Sequence, residues 1–246
     1  MAPPRSGGSA DAERAAEAAL SFCDAEYPEA TTVILGGSSS TGRRTQTSDI
    51  DILLIAPAST FAGRSGGSLL AEARVAHRDG ERFDVFAYTV EAYREWAERD
   101  LASLRPVLPT LLTEGMPLRA GEEFAELHRW SSDRLAPGPR LSAHQLALRR
   151  YALTDLIDDL MDAAEELAAA TIRAYLLRGL GELALLSAGA WLGSGKWLAR
   201  RLRVADPDAA TALAAFARER DDRAAARLAS DLLARLGGRV DTDFVR

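Results

Sequence analysis

The chain has 246 residues and a mass of 26.4 kDa, enough for one large domain or two small ones with a substantial core. Its net charge of −6 disfavours nucleic acid as a partner, and no apolar run reaches the length of a membrane span. Cys23 is the only cysteine, which excludes an internal disulfide framework, and the N-terminus lacks the apolar segment of a secretory signal. We therefore expect a cytoplasmic protein without a membrane partner, as a monomer or a homodimer.

The first part of the chain predicts a helix followed by strands. Residues 1–9 are typical of a flexible tail, and an alanine-rich apolar stripe predicts a helix from residue 10 to about Glu26, before Pro28. The β-branched run TTVILG predicts a strand, and the almost continuously apolar DIDILLIAP predicts a second one at the centre of a sheet. AEARVAHRDGERFDVFAYT predicts two more strands, joined by a tight turn at Asp79-Gly80.

The rest of the chain predicts helices. VEAYREWAERDLASL restores a helical period, PVLPTLLTEGMPLRA is ambiguous, and no strand pattern returns after about Gly121. Long Ala/Leu-rich segments predict several packed helices, one of which begins at Asp206-Pro207. We therefore predict an α+β chain, with a small mixed sheet and flanking helices in residues 10–120 and an all-α bundle in 121–246. APGPRLS, at 136–142, is a candidate break in the link.

One segment, GGSSSTGRRTQTSDID, suggests chemistry. Asp49 and Asp51 lie one residue apart at the start of a strand, so their side chains are expected on the same face. Two adjacent carboxylates repel each other unless a cation lies between them, and Mg²⁺ commonly bridges such oxygens to substrate phosphates. Gly36 and Gly37 allow a ligand to come close, and their N–H groups, with the Ser38 hydroxyl, can hold phosphate oxygens. The segment predicts a phosphate-binding turn beside a metal-binding pair.

The spacing of these residues resembles the signature of the polymerase-β-like nucleotidyltransferases. The pattern G-S-x3-G-x5-S-D-I-D is similar to that of the minimal and aminoglycoside nucleotidyltransferases, and it is formed here by Gly37, Ser38, Gly42, Ser48, Asp49 and Asp51. The family has a third carboxylate on a later strand, for which RFDVFAYT offers Asp84. Members that modify antibiotics often add a helical second half to the short mixed sheet. Thr41 stands where many relatives have arginine, with Arg43 and Arg44 close by.

The resemblance implies transfer of a nucleoside monophosphate from a nucleoside triphosphate, with ATP the expected donor. Asp49 and Asp51 would hold two Mg²⁺ ions, while Gly37, Ser38 and Ser48 would bind the triphosphate. Asp84 would complete the second metal site, accept the proton of the acceptor hydroxyl, or do both. The acceptor implied is a small molecule such as an aminoglycoside or lincosamide antibiotic, by analogy with the family.

Other interpretations of these carboxylates stay open. Asp49 and Asp51 can be ordinary turn residues, and Asp84 can be an ordinary edge-strand carboxylate. The catalytic base can also lie elsewhere, at Glu91 or Glu114.

The helical half contains two further candidates. GSGK, ending at Lys196, does not meet the P-loop pattern, but Lys196 is the only lysine of the chain. In some aminoglycoside-modifying relatives a basic residue of the helical half reaches the triphosphate, so Lys196 is either such a contact or a solvated lysine at a helix start. Four aspartates share one predicted helix face, which either binds a polycationic acceptor or is simply solvated: Asp155, Asp158, Asp159 and Asp162.

Two alternative functions use the same fold. One is nucleotidylation of a protein or RNA end, although such enzymes are usually shorter and the charge of −6 disfavours tRNA. The other is a regulator that binds nucleotides without turnover, which the intact carboxylate set disfavours.

Overall fold

The structure is a computed structural model that describes residues 8–40, 48–63 and 70–241. Contacts between residues divide it into a first unit that ends at Pro137 and a second that begins at Gly138. This division lies within APGPRLS and later than the boundary of 120 and 121 set from the sequence. The difference arises because the helix Phe124–Leu135 packs into the first unit through the fully buried Leu127.

The first unit contains, among its described residues, a five-stranded mixed sheet. The strands are β1 (Thr32–Leu35), β2 (Ile50–Ile55), β3 (Ala71–Arg78), β4 (Glu81–Tyr88) and β5 (Met116–Arg119). Their order is β3-β4-β2-β1-β5, in which β2 and β4 are parallel and the other neighbouring pairs are antiparallel. The central position of β2 confirms the prediction from its nearly continuous apolar sequence.

Alternate residues of the sheet face two layers of helices. One face, with Ile50, Ile52 and Leu54, packs on α1 (Gly8–Glu26), where the ring of Phe22 stacks on that of Phe83 with 4.4 Å between centroids. The other face, with Leu53 and Ile55, packs on three helices: α2 (Val90–Ala102), α3 (Val107–Glu114) and α4 (Phe124–Leu135). Because side chains alternate along a strand, Asp51 shares the face of Leu53.

The connection between β3 and β4 is the two-residue turn predicted from Asp79-Gly80. Arg78 pairs with Glu81 across the turn, and the φ angles of Asp79 and Gly80 are 52° and 80°. Positive φ at both central residues is the geometry of the type I′ hairpin turn, for which Asp-Gly is a preferred sequence. The turn therefore fixes the register of β4, the strand that carries Asp84.

The segment with the ambiguous sequence forms α3 and the edge strand β5. Pro109 lies in the first turn of α3, where its missing N–H costs no helical hydrogen bond, and Pro117 lies on a strand at the edge of the sheet. Gly115 joins them with β1 close by, since a β-carbon there would stand 2.4 Å from Cγ2 of Ile34.

In its described residues the second unit contains helices joined by loops and no strand, which confirms the predicted all-α half. Its helices are α5 (Ala143–Asp162), α6 (Glu166–Ser187), α7 (Lys196–Ala205), α8 (Pro207–Arg218) and α9 (Asp222–Arg235). Ser142 and Gln145 form a capping box at the start of α5, and Asp206 caps α8 ahead of its first proline. In the described part of the chain, no helix has the length and apolar composition needed to cross a membrane.

Candidate functional site

Three aspartates lie at the end of the sheet where β2 begins. Asp51 on β2 and Asp84 on β4 are register partners in the parallel pair, and neighbouring strands lie about 4.8 Å apart. Asp49 precedes Asp51 by two residues, and a shared arginine links it to Asp84. Asp49 and Asp84 are partly buried, with 25% and 26% of their side chains exposed. The structure thus brings together the three carboxylates that the sequence predicts, on one face of the sheet.

Arg82 holds two of these carboxylates. Its Nη1 lies 3.3 Å from Oδ2 of Asp49, and its Nη2 donates to Oδ1 of Asp84 at 3.3 Å. Arg82 was not among the site residues predicted from the sequence. A signal was present, since Arg82 and Asp84 are two residues apart on a strand and must share a face.

The surroundings of Asp84 alter its acidity. Burial raises the pKa of its carboxyl above the ordinary value, and the hydrogen bond and negative charge of Asp49 raise it further. The Arg82 guanidinium acts in the opposite direction. Asp84 therefore holds a proton more readily than an isolated aspartate.

The glycine-serine turn after β1 is tied to the backbone of both aspartates of β2. The N–H of Gly36 donates to the carbonyl of Asp51 at 2.8 Å, and the hydroxyl of Ser39 donates to the carbonyl of Asp49 at 3.0 Å. The prediction that the Gly36 N–H holds a phosphate oxygen is therefore wrong, because the β1–β2 hydrogen bonding continues through Gly36 and uses that donor. Gly37 has a φ of +65°, and Ser38 is buried at 4% exposure.

The other predicted site residues are placed as follows. Ser48 is partly buried directly before Asp49, whereas Gly42 and the two neighbouring arginines lie outside the described residues. Lys196 is the exposed first residue of α7, in the second unit. Its contact with a triphosphate stays a prediction.

The two alternative bases differ in position. Glu114 is the exposed last residue of α3, next to Gly115, which adjoins the end of β1 at Leu35. Glu91 lies in the first turn of α2, which follows the end of β4 that points away from Asp84. Of the two, Glu114 is therefore at the same end of the sheet as the carboxylates.

The carboxylate cluster suits a divalent cation in its chemistry. Oxygen ligands from aspartate are those that Mg²⁺ prefers, and the contacts of Arg82 with Asp49 and Asp84 demonstrate that the cluster accommodates positive charge. Within residues 8–40, 48–63 and 70–241, no three acidic, histidine or cysteine side chains converge as a ready-made metal site. The donors fit the ion, and Asp49 and Asp84 are oriented here towards Arg82.

One family model matches part of the chain. Residues 17–130 match the family model described as a nucleotidyltransferase domain, a range that contains all five strands and the three carboxylates. No curated protein matches the chain. Among solved structures, a nucleotidyltransferase-like protein from Exiguobacterium sibiricum is similar, with 17% sequence identity and a TM-score of 0.45. The similarity covers 91% of this chain and 73% of that one.

Proposed function

Because residues 17–130 match a model of the nucleotidyltransferase domain, we propose that the protein transfers AMP from ATP to a hydroxyl group of a small molecule, with Mg²⁺, and releases pyrophosphate. The observation that carries the proposal is the cluster of Asp49, Asp51 and Asp84 on one face of the sheet, beside the glycine-serine turn. Adjacent carboxylates destabilise one another unless a cation offsets their charge, and the single charge of Arg82 offsets only part of the charge of three aspartates.

Asp49, Asp51 and Asp84 would hold the Mg²⁺. When bound, the ion supplies positive charge that offsets the triphosphate and the departing pyrophosphate. The turn supports binding of the phosphates: Gly37 lies against the Asp51 carboxylate, Ser38 follows Gly37 in the turn, and Ser48 adjoins Asp49. Lys196 is proposed to contact the triphosphate from the second unit.

Asp84 is proposed to accept the proton of the attacking hydroxyl at a carboxylate oxygen. Its raised pKa supports this role, because a carboxylate that binds a proton more readily is a better base. The same residue would also help to hold the metal ion, since a carboxylate has two oxygens.

The acceptor that we propose is an aminoglycoside-type antibiotic, which is polycationic. The aspartates of α5 support this class, since Asp155, Asp159 and Asp162 are exposed on the helix surface. Asp158 is also exposed and accepts a hydrogen bond from Arg239 at 2.5 Å, which reduces the negative charge available to a cationic acceptor.

Calorimetric titration of ATP, GTP, CTP and UTP in the presence of Mg²⁺ tests the proposal. We expect the wild type to bind ATP, and Asp49→Asn/Asp51→Asn to lose that binding while it remains folded. Asp79→Asn/Asp133→Asn is the matched control, because it removes the same charge from exposed positions. Binding of a different nucleotide would correct the donor, and the absence of any binding by folded wild type would refute the proposed activity.

Pyrophosphate release with a panel of acceptors then tests the second substrate. Release that depends on aminoglycosides supports the acceptor, and its loss in Asp84→Asn supports a role of Asp84 in the transfer, as base or as metal ligand. Release that depends only on a protein or an RNA end would instead support a macromolecular acceptor.

A further inference from the structure

Arg82 occupies the space between two of the proposed metal ligands. Asp49 precedes β2 and Asp84 lies on β4, and one guanidinium contacts a carboxylate oxygen of each at 3.3 Å. The Arg82 side chain is 46% exposed, and among the described residues its two ion pairs are with these carboxylates.

A divalent cation and this guanidinium compete for the same oxygens. Mg²⁺ binds carboxylate oxygens at about 2.1 Å, which brings the ion close to any positive group already in contact with them. A metal ion and a guanidinium that contact the same carboxylate oxygens lie very close to each other, and two cations that close repel each other strongly where water is partly excluded. A metal bound by Asp49 and Asp84 therefore requires that the Arg82 contacts break.

We propose that Arg82 is the resident counter-ion of the unloaded site, displaced from Asp49 and Asp84 when a divalent metal binds. The inference rests on the proposed function and assigns Arg82 as a positioning residue rather than a catalytic one. It has two consequences. Metal alone binds weakly, because it must displace a cation. Metal and nucleotide bind cooperatively, because the triphosphate supplies negative charge that offsets the released guanidinium.

Mn²⁺ binding, followed by the electron paramagnetic resonance of the free ion at pH 8, tests the proposal without any turnover. We expect Arg82→Gln to bind Mn²⁺ about tenfold more tightly than the wild type, since a competing unit charge has been removed from the site. Arg82→Lys is expected to lie between the two, because an ammonium cannot span both carboxylates in the manner of a guanidinium.

Arg78→Gln is the matched control. Arg78 belongs to the same hairpin and its Nε lies 3.6 Å from Oδ2 of Asp79, so the variant makes the same change in net charge away from the carboxylates. We expect its Mn²⁺ affinity to stay within about twofold of the wild type, since exposed charges at a distance are screened.

Cooperativity with nucleotide provides a second measure. Saturating ATP is expected to strengthen Mn²⁺ binding more in the wild type than in Arg82→Gln, in which the metal alone already binds well. Thermal unfolding in metal-free buffer checks the fold of each variant, and Mn²⁺ is expected to raise the unfolding temperature of Arg82→Gln more than that of the wild type.

The outcomes distinguish failure of the inference from failure of the proposed function. If Arg82→Gln binds Mn²⁺ equally or more weakly, while Asp51→Asn abolishes binding in the wild-type background, Arg82 orients the ligands rather than competing for them, and the inference is wrong while the proposed function stands. If neither the wild type nor Arg82→Gln binds Mn²⁺, both the inference and the metal-dependent function fail.

Discussion

Gly37 lies against the carboxylate of Asp51, so closely that a β-carbon on Gly37 would stand 1.8 Å from Oδ2 of Asp51. The φ of Gly37 is +65°, a conformation that residues with a side chain rarely adopt. Both the positive φ of Gly37 and its short distance to the Asp51 carboxylate therefore require glycine at this position. The turn and Asp51, the proposed metal ligand, are built as one unit.

Gly37→Ala is expected to lower the free energy of unfolding by about 2 kcal/mol and to abolish nucleotide binding, because the methyl group displaces the Asp51 carboxylate. Thermal unfolding and calorimetry measure the two effects. Gly80→Ala is the control, since Gly80 has a φ of +80° and nothing within 4 Å of its added β-carbon. That variant should lose about 1 kcal/mol and keep binding. Equal loss of binding in both variants would contradict the role of close approach.

Asp84→Asn is expected to stabilise the protein at pH 7.5 by about 1 kcal/mol while it abolishes transfer. The pKa of Asp84 is raised in the folded state, so the folded protein favours the protonated form. Its contribution to stability is fully present below the unfolded value of 3.8 and is lost as the pH rises through the folded pKa.

The pH dependence provides the check on Asp84. Chemical unfolding of the wild type and Asp84→Asn should differ at pH 7.5 and converge near pH 3.8. Asp133→Asn, at an exposed position of α4, should not differ from the wild type at either pH. A lower stability of Asp84→Asn at pH 7.5 would show that the ion pair with Arg82 outweighs burial and the repulsion from Asp49.

Glu123→Gln is expected to lower the free energy of unfolding by about 1 kcal/mol at pH 7. The Glu123 carboxylate accepts hydrogen bonds from the hydroxyls of Thr31 at 2.6 Å and Thr32 at 2.5 Å, next to β1. Although burial raises the pKa of Glu123, these two hydrogen bonds bring it below the ordinary value. The stabilisation is present above 4.5, the unfolded value, and is lost as the pH falls through the folded pKa.

Unfolding by urea at pH 7 and pH 4 measures this effect. The deficit of Glu123→Gln should shrink on acidification, whereas Glu122→Gln, which changes an exposed neighbour, should match the wild type throughout. If the difference in the free energy of unfolding between Glu123→Gln and the wild type does not depend on pH, the charge of the Glu123 carboxylate does not contribute to stability.

Cys23 is expected to resist thiol reagents in the native protein. It is fully buried in α1, and burial raises the pKa of its thiol to about 12. At pH 8 only roughly one thiol in ten thousand is then ionised. Labelling with a chromogenic disulfide should be slow in native buffer and fast in urea, with one thiol per chain in urea. Rapid native labelling would indicate that α1 opens readily from the sheet.

The sequence was sufficient to predict the features that rest on local rules. Asp79-Gly80 predicted the hairpin, and an apolar run predicted the central strand. These follow from strand periodicity and turn conformation, which depend on adjacent residues alone.

What the sequence did not predict depends on distant partners. β5 contains two exposed residues and a proline, a composition that does not favour a strand. It forms a strand because its backbone pairs with β1. The assignment of α4 to the first unit depends on the burial of Leu127 against the sheet face that carries Leu53. The use of the Gly36 N–H by Asp51 likewise depends on how far the β1–β2 pairing extends, which no local pattern fixes.

Side chains along β4 face the candidate site and the core in turn, so a change in the length of this strand affects both the site and the fold. Asp84 faces the site while its neighbours Phe83 and Val85 lie in the core on α1. One residue inserted between the Asp79-Gly80 turn and Asp84 would exchange these faces, placing a carboxylate in the core and a phenylalanine in the site. Insertions and deletions here should therefore be eliminated with the fold itself. A folded, inactive descendant of this protein is therefore expected to arise by substitution of site residues rather than by a change in the length of β4.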